Sequence, residues 1–446
     1  MKSTNIILAA IFLLVASGCK KSLETTPKQS IDEQMALSTS SGVQTALNGA
    51  YAGLGAAPFY GGDVFLFSEL LGDAGDFRFN GTFQGLVQIY NKAIPKNNGF
   101  ITSTWLTGYR VINDLNNILS ALDVVDANAK DRIEGEAKFI RGSVYFDLVR
   151  LYAKAFNDGN PASNLGVPII LTPTRGITEA NKVARNKVSE VYDQVIKDLT
   201  EAEAKLPATN GFYANKFAAT AMLARVYLQK ADYTNAVQAA TRVITGSGRT
   251  LVSTFAGVFP FSSSAQVPNT NEDVFAMQLT TTSGSNSLHT YFSPNSRGDI
   301  DVTPAHLAKY ETGDQRRAFF TTVSGSVFTL KHNSRFANVR VIRLAEMYLI
   351  RAESNFRLGT AVGDAPVNDI NRIRNRSGLP SLALVDLNAI LKERRIELAF
   401  EGHLLHDIKR LMGNVGSIPW NSCKLVFPIP ERERIVNPSL IDECYP

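Results

Sequence analysis

One short segment of the chain, Asp73-Ala-Gly-Asp76-Phe77-Arg78-Phe79-Asn80, gathers two carboxylates, a guanidinium, an amide and two rings. Phe83 and Tyr90 follow it. Such a set offers directional hydrogen-bond partners beside flat apolar surfaces, which is the chemistry of a binding pocket. A turn whose rings pack into the core is the competing reading. Tyr291, Phe292, Asn295 and Arg297 form a second candidate cluster. Trp105 and Tyr109 lie one helical turn apart and read as core. Only two tryptophans exist, so any ring stacking on a ligand rests on Tyr and Phe. The signatures of catalysis are missing: the sequence has no Walker loop, dinucleotide fingerprint, HExxH or GxSxG. His403 and His406 share a spacing of three, but no third metal ligand stands near them, so a structural role is expected. Carboxylates are abundant, yet nothing singles out a glycosidase pair. No metal and no cofactor is implied.

The chain has 446 residues, 44% apolar and 20% charged, enough to bury a sizeable core. Its net charge of 46 − 41 = +5 is dispersed, which argues against a nucleic-acid partner. The N-terminus sets the compartment. Lys2 precedes the apolar run Ile6 to Ala16, which is too short to span a bilayer core needing about 20 residues. A charged start, a short apolar run and small residues read as a secretory signal. Val15-Ala16-Ser17-Gly18-Cys19 resembles a bacterial lipobox, so residues 1–18 are expected to be removed and Cys19 lipidated. Lys20 to Gln34 is polar and reads as a tether. The two remaining cysteines, Cys423 and Cys444, would sit in an oxidising compartment, where they either form a bridge or stand as separate thiols.

Apolar residues at three- and four-residue spacing predict a mainly helical chain. Val111 to Val125 forms one stripe. Ile133 to Leu151 forms the next, with Asp131 as its expected N-cap. Further helices are expected over Val188–Ala202, ending near Pro207, and from an Asn215 cap through Leu228. Others are expected over Tyr233–Ile244, Val339–Arg357, Ala365–Arg376, Asp386–Phe400 and Leu404–Met412. Ala224, Tyr227, Tyr233 and Ala236 match the small–Tyr–Tyr–small pattern of a tetratricopeptide repeat. One such hairpin cannot fold alone, and Val111–Tyr152 and Val339–Arg376 are candidates to stack on it. Two stretches resist a helical reading, Gly53 to Gly99 and Gly246 to Ser334. Thr280–Ser287 (TTTSGSNS) within the second has no apolar side chain. Their many aromatics suggest ordered surface loops with a few short strands.

The C-terminal half resembles the SusD/RagB family of outer-membrane lipoproteins. The resemblance rests on Arg343-Leu-Ala-Glu346, on Ala352-Glu353, and on Ile370-Asn371 through Arg374, Arg376 and Gly378-Leu-Pro380. It rests above all on Glu393-Arg394-Arg395-Ile-Glu397-Leu398-Ala-Phe400-Glu401-Gly402, followed by Asp407 and Arg410. Phe427-Pro-Ile-Pro430, Asn437-Pro438, Glu136 to Arg141, Tyr145 to Leu148 and Gly166-Val-Pro168 fit as well, so the likeness runs from Cys19 to the C-terminus. It implies a tetratricopeptide-like α-α superhelix and a binding protein that is not an enzyme. It also implies an oligosaccharide ligand, a SusC-like TonB-dependent barrel as partner, and an outer-membrane position at the cell surface through the lipid anchor. The Glu393–Gly402 motif would serve the fold, with Arg394 and Glu397 able to pair at i,i+3. Glu69 to Asp73 resembles the acidic stretch before the family's ligand loop. A sugar's apolar face stacks on rings while its hydroxyls take carboxylate, amide and guanidinium partners, which suits the two clusters. A peptide-binding relative of the same architecture, or a helical-repeat scaffold lipoprotein, are the alternatives.

Overall fold

The apolar stripes fold as helices, and each helix lays its stripe against the next. The computed structural model describes residues 35–445 other than 177, 283 and 285, so Cys19 and the signal lie outside the described residues. From the N-terminal side come α1 (Ser40–Leu54), α2 (Asp63–Gly72), β1 (Phe77–Phe79), α3 (Gln84–Tyr90) and α4 (Gly99–Ser120). They are followed by α5 (Ala127–Tyr152), α6 (Val188–Lys205), α7 (Lys216–Gln229) and α8 (Tyr233–Gly246). The irregular second half begins with α9 (Phe255–Val258), β2 (Asp273–Met277), α10 (Ser287–Phe292), β3 (Ile300–Val302), α11 (Pro304–Leu307), β4 (Phe320–Val323), β5 (Ser326–Thr329) and β6 (Val339–Arg343). It closes with α12 (Leu344–Leu358), α13 (Pro366–Arg376), α14 (Leu387–Glu397), α15 (Leu404–Arg410) and α16 (Glu431–Val436). No helix among the described residues is long and apolar enough to cross a membrane.

Packing runs in one continuous series. α1 packs on α4, then each of α4 to α7 packs on its successor, α8 on α12, and α12 on α13 and α14. The repeat pattern behaves as its residue types demand. Ala224 and Ala236 are fully buried, letting α7 and α8 approach, while Tyr227 and Tyr233 fill the half-buried flanks. Asn215 caps α7, its side chain accepting from the Ala218 amide at 3.0 Å. Asp386 does the same for α14 through the Ala389 amide at 2.7 Å.

Three expectations of secondary structure fail for physical reasons. Asp131 is not a cap: α5 begins a turn earlier, behind Asp126, and Asp131 instead pairs with Lys205 at 2.8 Å. Val339–Arg343 is not helical but the strand β6, antiparallel to β2 with Met277 opposite Val339. The run Val339, Val341, Ile342 is β-branched and suits an extended, packed surface better than a helix. The segment Gly53 to Gly99 is not a surface loop throughout. Every residue of α2 is buried: its apolar residues are packed all round, and its polar Ser68 and Glu69 face inward, accepting from the Leu405 amide at 3.2 Å and the Gly402 amide at 2.9 Å, so no solvent-facing stripe marks it as a helix.

The Glu393–Gly402 motif lies at a buried junction. Glu397 is fully buried and faces Arg343 at 3.1 Å, Arg316 at 3.3 Å and Arg376. Glu401 binds Lys331 at 2.6 Å and Arg343 at 2.7 Å, and Arg343 also reaches Glu272 at 2.6 Å. The expected local pair of Arg394 with Glu397 is replaced by a longer-range one, Arg394 with Asp407 at 2.8 Å. Charges so far from water need several opposite partners, and neighbours on one helix cannot supply them all.

Cys423 and Cys444 form a disulfide with Cα atoms 5.1 Å apart, closing a separation of 21 residues at the C-terminal end. A loop of that size is worth about 2–4 kcal/mol of restricted unfolded-state entropy. The double Cys→Ser variant is expected to lose about that much, read as a lower urea midpoint. An unchanged midpoint would show that the bridge constrains nothing.

Candidate ligand-binding face

The two candidate clusters, far apart in sequence, meet in space. β1 and β3 pair antiparallel with Arg78 opposite Asp301 and Phe79 opposite Ile300. Asp73 turns the chain into β1: its carboxylate accepts from the Asp76 amide at 2.9 Å and the Phe77 amide at 3.2 Å. Gly81 lets the chain turn away, since a Cβ there would lie 2.4 Å from the Phe79 ring. Phe83 then reaches the second cluster. Its ring meets Tyr291 edge-on at 6.2 Å, and the Arg297 guanidinium lies 4.4 Å over it. Arg297 is held by Asp299 at 2.9 Å and by the Thr82 hydroxyl at 3.0 Å.

The candidate residues divide by burial. Phe77 and Phe292 are core, and Tyr291 is 7% exposed. Tyr90 is half-buried and donates to the Phe77 carbonyl at 3.1 Å. Asp73 and Asp76 are buried and build the loop. Asp76 faces Arg395 at 2.6 Å, His306 at 3.3 Å and Lys309. Burial pushes the Asp76 carboxyl up, but His306, Arg395 and Lys309 together hold it well below the usual carboxylate range. For these five residues and Tyr90 the turn-and-core reading is the one the geometry favours. Exposed on the face are Arg78, Asn80, Phe83, Asn295 and Arg297, with Phe79 half-buried. Arg78 pairs with Asp301 at 2.7 Å, and Asn295 donates to Asn333 at 2.9 Å. Phe83, 43% exposed, is the open ring.

Beside it lies a feature that local residue patterning announces only in part. A groove of about 520 Å³ has Thr280 to Thr282, Asn286, Thr290 and Asn295 along its walls. His289, Arg335 and Phe336 complete its chemistry. The Arg297 amide donates to the Thr290 carbonyl at 3.1 Å, which joins the groove to the Phe83 cluster. His289 lies 3.0 Å from the His332 carbonyl, so Nδ1 donates there. Burial lowers its pKa, and the neutral ring keeps Nε2 as an acceptor. The polar run TTTSGSNS was a visible signal for this groove. Arg335-Phe336 carried none, being one ordinary dipeptide. Another groove of about 580 Å³ lies between α1 and α4, lined by Leu37, Gly49, Gly53 and Arg110 among others, with no ring among its described walls.

Trp105 is core, its ring tilted against that of Tyr109 at 4.8 Å, and the Tyr109 hydroxyl donates to the Pro168 carbonyl at 2.9 Å. His406 is buried and His403 partly so, and among the described residues no group of three metal-ligating side chains occurs. Beneath the face, Asp63 opens α2 with one carboxylate oxygen lacking a hydrogen-bond partner. Burial pushes its pKa up to about 7, offset only in part by Ser287. A raised carboxyl pKa favours the fold below the unfolded value near 3.8 and loses that advantage as pH rises through about 7. Asp63→Asn is therefore expected to flatten stability between pH 4 and 7 and to exceed the parent at pH 8 by about 1–3 kcal/mol. Denaturant melts at the three pH values check this, and an identical slope in both proteins would contradict it.

Comparison with known proteins agrees with this architecture. The family model described as the SusD family matches residues 140–422, and one described as starch-binding and associating with the outer membrane matches residues 23–228. The chain belongs to the SusD family. It is similar to SusD-like protein P2 of Formosa agariphila, 26% identical over 91% of this chain and 90% of that one. It also resembles the structure of a candidate sugar-binding protein from Bacteroides vulgatus, with TM-score 0.82, 28% identity, and 92% of this chain and 99% of that chain covered. Surface glycan-binding protein A from Bacteroides uniformis shares the fold, with TM-score 0.77, 20% identity, and coverage of 92% and 100%.

Proposed function

We propose that the protein is a cell-surface glycan-binding lipoprotein, anchored through Cys19 after loss of residues 1–18. It captures oligosaccharides and passes them to a SusC-like TonB-dependent barrel in the outer membrane, and it performs no chemistry on them. The observation that carries this reading is the open Phe83 ring, backed by Arg297 and set beside a groove walled by hydroxyls and amides. A pyranose has an apolar face and a rim of hydroxyls, and this surface offers a complement to both. Membership of the SusD family supports the same reading, as does the match of residues 23–228 to a family model described as starch-binding and associating with the outer membrane.

The barrel partnership is tested by recovering the native lipoprotein from detergent-solubilised outer membrane and identifying what comes with it by mass spectrometry. Recovery of a large TonB-dependent barrel is the expected result. A clean preparation without a barrel, from cells that express both, would overturn the delivery step and leave a stand-alone surface binder.

A further inference from the structure

The guanidinium groups of the face are not equivalent. Arg78 is matched by Asp301 and Arg297 by Asp299. Arg335 is exposed and, among the described residues, has no carboxylate partner; its contact is the Phe336 ring at 5.2 Å. The described groove walls around it carry hydroxyls, amides and one neutral imidazole but no carboxylate. The sequence from Thr280 to Asn286 contains no acid either. A solitary surface arginine in open water would be unremarkable on these counts. Here the charge stands on the wall of a concave groove, with the Phe336 ring beside it.

Resting on the glycan-binding reading above, we propose that this groove takes an anionic sugar residue. Its carboxylate or sulfate ester pairs with the Arg335 guanidinium, and the Phe336 ring receives the apolar face of the same residue. Arginine suits this role because its planar fork donates two parallel hydrogen bonds to one oxyanion. The ligand supplies the counter-charge that the protein provides to Arg78 and Arg297 but withholds from Arg335. Discrimination is then a matter of charge on one residue of the chain, while neutral neighbours lie against the Phe83 end.

The test uses the mature protein and two matched pairs of ligands. One pair is an oligogalacturonate and its carboxyl-reduced neutral counterpart; the other is a sulfated galactan oligosaccharide and its desulfated form. A panel of neutral glucans, mannans and xylans is titrated alongside. Expected is at least tenfold tighter binding of the charged member of one pair, and that pair tells whether carboxylate or sulfate is read. Arg335→Gln should erase the preference while leaving the thermal midpoint unchanged, since the side chain is exposed. Rising salt should weaken the charged ligand alone. Equal binding of charged and neutral members, binding confined to the neutral panel, or a preference that survives Arg335→Gln would overturn this inference and leave the glycan reading standing. Absence of binding to every glycan would remove both.

Discussion

Glu397→Ala is expected to destabilise the protein by about 3–5 kcal/mol, the largest effect of any single substitution proposed for the fold. Three arginines converge on this carboxylate from different parts of the chain: Arg316 in the loop after α11, Arg343 at the end of β6 and Arg376 at the end of α13. Burial alone would push its pKa up. Arg376, Arg343 and Arg316 outweigh that and hold it down to about 2. Removal of the carboxylate leaves positive groups enclosed together, with Glu272, Glu393 and Glu401 still present but already engaged. Because the folded pKa is depressed, the contribution is complete above the unfolded value near 4.5 and fades as pH falls towards 2. The variant should therefore melt well below the parent at pH 7 and approach it at pH 3. A loss under 1 kcal/mol at pH 7, measured by urea unfolding, would mean that water reaches the junction.

Phe83→Ala is expected to lower affinity for the cognate oligosaccharide at least tenfold with little change in stability. The ring is the most exposed aromatic of the face and already carries Arg297 on one side, so its loss removes both a stacking surface and the support for that guanidinium. Loss of a partly exposed ring with few core contacts costs the fold little, about 0.5 kcal/mol, whereas aromatic anchors dominate binding. Phe79→Ala gives a useful comparison. Phe79 is half-buried against Tyr90 at 5.9 Å, so it should affect stability more and affinity less. Titration of all three proteins with the same ligand checks the pair, and equal affinities would remove Phe83 from the site.

The helical series was legible because most of its residues follow the three- and four-residue apolar spacing of a packed helix. The small residues Ala224 and Ala236 with Tyr227 and Tyr233 announce a close hairpin, and Asn215 announces its start. What escaped was structure whose signal is not periodic. α2 is buried on every side and so has no stripe. β6 continues directly into α12, and its apolar residues merge with the helical pattern that follows. The candidate site was half legible. Residue chemistry located both clusters, but their union through β1 and β3 is a long-range pairing that local sequence does not encode. The division of labour was hidden for the same reason. Asp73 and Asp76 look like ligand carboxylates until Arg395 and Lys309, distant in sequence, are seen to occupy Asp76, while backbone amides occupy Asp73.

The most direct test of the central claim is a crystal structure of the mature protein with a bound oligosaccharide identified by titration. Sugar density is expected against the Phe83 ring, extending into the groove of Asn286, Thr290 and Arg335. Density confined to the groove between α1 and α4, with the Phe83 face empty, would contradict that claim.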